Sequence, residues 1–133
     1  MFGKKDENAP ENTNIYPPVE GEKSFQFQKN VIRVDDHFVR ITRGGTLSNL
    51  ILQGLDGEKS IRLSTLTGFQ IKEPGVTVGY FQFVYPGSTD TKAGVFDAVK
   101  DENTVTFLKK EKPQVLELRK IIEQAIIDED RRN

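Results

Sequence analysis

Past Lys112 the apolar residues change their spacing. Pro113 suits the first turn of a helix, and Val115, Leu118, Ile122, Ala125 and Ile126 then fall on one stripe, opposite Glu117, Arg119, Lys120 and Glu123. The spacing predicts one amphipathic helix over residues 113–130, about four turns and more. A helix with a single apolar stripe must lay it on another element. Upstream the apolar residues alternate, which makes that element a sheet.

The alternation begins at Ser24, with Phe25 and Phe27, and continues through Phe38 to Ile41 and through Ile61 and Leu63. Such stretches read as half-buried strands. Val31 to Val34 and His37 to Arg43 flank Asp35-Asp36, and short carboxylate side chains there suit a tight hairpin turn. Glu58 to Leu63, Gly68 to Lys72, Gly79 to Val84 and Thr104 to Lys109 supply four further strands. They are separated by Glu73-Pro74-Gly75, by Pro86-Gly87-Ser88 and by the polar stretch Lys100 to Asn103. Gly44 to Gly57 reads as a loop with one helical turn. The fold class expected is mainly β (α+β by count), about seven antiparallel strands and one C-terminal amphipathic helix.

Residues 1–22 carry three prolines, several asparagines and mixed charge with almost no apolar pattern, the composition of a disordered arm. Ile15 and Tyr16, before Pro17-Pro18, are either an anchor onto the domain or a short docking motif, the anchor being preferred. The domain proper is expected over 23–133.

A chain of 133 residues has room for one core. Its net charge of −1 gives no overall field to gather nucleic acid or an anionic membrane, so any such binding is local. With no cysteine, disulfides and thiolate metal sites are excluded. The longest apolar runs are far short of the roughly 20 residues that cross a bilayer. A soluble, cytoplasmic protein is expected.

Gly57 to Phe83 (GEKSIRLSTLTGFQIKEPGVTVGYFQF) and Val95 to Phe107 (VFDAVKDENTVTF) resemble a bacterial pleckstrin-homology-like domain family found in low-GC Gram-positive bacteria and their phages. The resemblance covers about residues 24–127. It implies a partly open β-barrel of two bent antiparallel sheets whose open corner is plugged by the terminal helix. It carries over no catalytic residues. Many relatives continue into a short C-terminal helical domain, whereas this chain ends at Asn133. An assembly role of those longer relatives is therefore not transferred.

Catalysis has little to stand on. The single histidine, His37, follows Asp35-Asp36, but neighbouring strand residues point to opposite faces, so a turn is the better reading than a metal site. Asp97, Asp101 and Glu102 have no apolar surroundings to split their proton affinities, and no nucleophile elbow or phosphate loop is present. No metal, cofactor or enzymatic activity is expected.

Two binding sites are expected instead. Leu47, Leu50, Ile51 and Leu52 lie in a loop outside the alternating pattern, and such residues either fold back over an open end of the barrel or dock on a target protein or a second copy. Alternatively, Arg40, Arg43, Lys59 and Arg62 form a local basic patch for a lipid headgroup or nucleic acid. The segment from Lys23 to Lys112 holds 13 basic and 10 acidic residues, a mild excess that permits such a patch without requiring it. The protein-binding reading, through strand addition or the groove between barrel and helix, with homo-oligomerisation possible, is preferred.

Overall fold

The computed structural model describes residues 15–44, 57–88 and 102–132. The expected loop site at Leu47, Leu50, Ile51 and Leu52 lies outside the described residues. Seven strands form two antiparallel sheets: β1 (Lys23–Phe27), β2 (Asn30–Val34), β3 (Phe38–Arg43) and β4 (Glu58–Arg62) in one, and β5 (Gly68–Lys72), β6 (Gly79–Val84) and β7 (Thr104–Phe107) in the other. In each sheet the spatial order follows the chain order. A helix, α1 (Lys112–Arg132), ends the described chain. Among the described residues the strands form two separate sheets and no closed barrel.

Alternation sorts the side chains. In the first sheet the register places Phe25 beside Ile32, Ile32 beside Ile41, and Val39 beside Ile61. In the second, Phe69 faces Phe83, and Phe81 lies between Ile71 and Val105. These two apolar faces share one core, completed by Leu63 and Leu66 and by Val115, Leu118 and Ile122 of α1. The expected helical stripe is therefore the buried one, with Ala125 and Ile126 packed at its margin. α1 rests on the 3-10 turn Leu63–Thr65, the connection that carries the chain from β4 to β5.

The second face of the first sheet is also partly covered. Val31, Arg33 and Thr42 are buried there, and Arg33 donates to the Pro17 carbonyl at 3.1 Å. Residues 17–22 are thus tied to the sheet, while Ile15 is exposed.

The β1–β2 turn has an unusual feature. Gln28 adopts φ 55°, a left-handed conformation that costs a non-glycine residue roughly 1–2 kcal/mol. Its backbone N–H donates to Oε2 of Glu111 at 2.8 Å, and its side-chain amide donates to Thr106 at 2.8 Å. Oε1 of the same Glu111 accepts from the Leu108 amide at 2.7 Å. One carboxylate therefore joins the first hairpin to the turn that opens α1.

Candidate functional site

Where the β2–β3 turn meets α1 there is a cleft of about 750 Å³, inside the roughly 300–1,000 Å³ range of small-ligand sites. One wall is Asp35 to Phe38 with Arg62 to Ser64; the other is α1, from Lys120 to Arg132. Leu63, Ile121 and Ala125 supply apolar surface. On the rim Lys120, Gln124, Asp128 and Arg132 recur every four residues, so they form one row along the helix.

The turn wall is rigid because Asp35 caps it. Oδ1 of Asp35 accepts from the His37 amide at 2.8 Å and the Phe38 amide at 3.1 Å, and Oδ2 pairs with Arg40. The Asp35 N–H donates to the Phe38 carbonyl at 3.0 Å, and the Leu63 N–H donates to the His37 carbonyl at 2.8 Å. Burial of Asp35 opposes its ionisation, but the His37 amide, the Arg40 side chain and the Phe38 amide outweigh it and hold the carboxyl below its usual range. A depressed folded-state pKa contributes stability that is fully present above the unfolded pKa and is lost as pH falls through the folded one. Asp35→Asn should lower stability at neutral pH by about 1.5–3 kcal/mol. It should also flatten the loss of stability below about pH 4, near the ordinary aspartate pKa. Denaturant melts of both proteins across the acid range check this.

His37 is exposed at the mouth of the cleft, in the turn that the Asp35-Asp36 pair predicted. Among the described residues no three histidine or carboxylate side chains are grouped to hold a metal ion.

The four expected anion-binding residues do not share a surface. In register, Arg40 and Arg62 lie on the outer face of the first sheet, and Arg43 and Lys59 on the opposite one. Arg40 is paired with Asp35 and stacks 4.9 Å from the Phe38 ring centroid. Lys59 meets Glu102 at 3.3 Å. Its bond with the Tyr85 side chain, and secondarily Glu102, raises its pKa against the effect of burial. Arg43 is also engaged. Arg62 makes no side-chain hydrogen bond or ion pair to the described residues and reaches the cleft wall.

Arg33 escaped the sequence reading. It stands on a strand that is otherwise apolar, is 4% exposed, and gives Glu58 two bonds, at 2.7 and 3.2 Å, with Glu22 at 3.3 Å. Glu111 was missed as well; its position three residues after Leu108, just ahead of Pro113, is the helix-start spacing that was there to be read.

These features define a two-sheet β domain with a terminal helix and a polar cleft between helix and sheet. The chain belongs to a family described as a domain of unknown function (DUF4429), whose model matches residues 32–123. No curated protein and no solved structure matches it. No helix among the described residues is long and apolar enough to cross a membrane.

Proposed function

We propose that this chain is a non-enzymatic binding module that holds an extended peptide segment of a partner protein in the cleft between the β2–β3 turn and α1. The cleft itself carries the reading. It sets apolar surface from Leu63, Ile121 and Ala125 beneath a polar rim that carries both signs of charge, which suits a segment with an apolar anchor and polar flanks. The wall opposite the helix is fixed in advance by Asp35, so little ordering free energy is lost on binding.

The same reading takes the architecture to be pleckstrin-homology-like. Its supports are the four- and three-stranded sheets, the approach of Gln28 to Thr106 at the β1–β7 corner, and the helix on the β4–β5 connection. A cytoplasmic setting in a Gram-positive bacterium or its phage belongs to this proposal through the sequence resemblance. The rival, an anionic lipid headgroup or nucleic acid, is disfavoured because Arg40 and Lys59 are already matched by Asp35 and Glu102, and the four cations are divided between two faces.

Panning the full chain against a library of linear peptides tests this. Selected peptides should bind at least tenfold more weakly to Ser64→Trp and Gln124→Trp, which crowd the cleft from exposed positions. Unchanged binding to both variants would overturn the reading. Salt-sensitive binding of heparin, abolished by Arg62→Glu, would promote the rival.

A further inference from the structure

Among the described residues β4 forms one edge of the first sheet. In the β3–β4 ladder Phe38 lies opposite Arg62, Arg40 opposite Ser60 and Thr42 opposite Glu58. One step further along the same register the Leu63 N–H donates to the His37 carbonyl at 2.8 Å. Hydrogen-bonded and non-hydrogen-bonded pairs alternate in an antiparallel ladder. Lys59 and Ile61 therefore turn their backbone groups toward β3, whereas Glu58, Ser60 and Arg62 turn theirs outward. Among the described residues β4 is the last strand of its sheet; the Arg62 carbonyl accepts from the Thr65 hydroxyl at 2.7 Å, and the other outward groups have no partner there.

We propose that two copies of this chain join through these edges, antiparallel about a two-fold axis at Ser60, independently of the cleft reading. In that register Ser60 meets its own copy and Glu58 meets Arg62 of the second copy, in both directions. The outward groups of Glu58, Ser60 and Arg62 then pair across the axis, the Arg62 carbonyl accepting from the second copy through the lone pair that Thr65 leaves open, and the two four-stranded sheets become one continuous sheet.

Charge selects this register. Arg62 is exposed and makes no side-chain bond within the described residues. Both bonds from Arg33 to Glu58 land on Oε2, leaving Oε1 without one among the described residues. Glu58 can therefore keep Arg33 and accept Arg62 of the second copy. A parallel, in-register pairing would set Glu58 against Glu58 and Arg62 against Arg62, and a slip that centres on Lys59 would oppose two lysines; like charges directly opposite are destabilising. Edge strands use charge to refuse unwanted partners, and here the pattern refuses both of these and sets opposite charges together only in the register centred on Ser60. Ser60, at the axis, is small and exposed, so its own side chain permits close approach.

Sedimentation of the full chain over a range of concentrations should show a species of twice the chain mass. Ser60→Lys puts two like charges at the axis while touching nothing inside the fold, and should weaken dimerisation at least tenfold. Ser24→Lys, on an exposed position of β1, should leave it unchanged. Because the chain has no cysteine, Ser60→Cys gives an independent readout. A hydrogen-bonded antiparallel pair holds its Cα atoms about 5.5 Å apart, within disulfide reach, so mild oxidation should yield a covalent dimer and Ser24→Cys should not. A single-chain mass up to millimolar concentration, or a dimer that survives Ser60→Lys, would overturn the proposal.

Discussion

Arg33→Ala is expected to cost about 3 kcal/mol of unfolding free energy, the low end of what removing one partner of a buried ion pair costs. The side chain is 4% exposed on β2, with Glu58 at 2.7 Å, Glu22 at 3.3 Å and the Pro17 carbonyl at 3.1 Å. Without it two shielded carboxylates and a carbonyl lose their donor at once. The low end applies because Glu22 and Glu58 keep some contact with water. Arg33→Lys should recover only part of the loss, since an ammonium cannot reproduce the forked contact with Glu58 while also reaching residues 17 and 22. Denaturant midpoints at constant slope measure this. Limited proteolysis gives a second readout, because cleavage near residues 17–22 should quicken once the tie to β2 is gone.

Gly79→Ala should destabilise by about 1–3 kcal/mol or more, the range for overpacked interiors. A methyl group there would lie 2.9 Å from Cζ of Phe107 and 2.9 Å from Cδ of Pro74, and it would also collide with the Lys72 carbonyl. That carbonyl belongs to the strand paired with β6, so it cannot retreat without opening the β5–β6 ladder. Gly75→Ala is the control: it sits in the same turn region, a methyl group there meets nothing within 4 Å, and stability should stay within about 0.5 kcal/mol. The two melts need only be compared with the parent's.

The sequence announced elements with a strong period and a local cause. Gly68–Lys72 and Gly79–Val84 match the expected strands residue for residue, and α1 spans two residues beyond the expected end and one before its start. Asp35 was legible because a carboxylate that caps a turn bonds amides two and three residues ahead. The cleft was visible only as a groove between sheet and helix; its walls come from residues 35–38, 62–64 and 120–132, and nothing in one stretch names the others. Arg33 was hidden for a related reason: Val31, Ile32, Arg33 and Val34 are all buried, so alternation is erased on β2 and the charge looks incidental. The placing of the four cations was not legible: strand register sets Arg40 and Arg62 on one face of the first sheet and Arg43 and Lys59 on the other, and the carboxylate that meets Lys59 lies 43 residues away.

The Glu111 carboxylate also sets an order in which the molecule can be finished. Gln28 and Glu111 are 83 residues apart, whereas every strand pairing of the first sheet joins consecutive strands. During synthesis all four strands of that sheet are made before residue 111, so the Gln28 amide can meet its Glu111 acceptor only once the chain has reached the turn ahead of α1. The turn ahead of α1 is thus the latch of the first hairpin, and it can close only after every strand of the first sheet has been made.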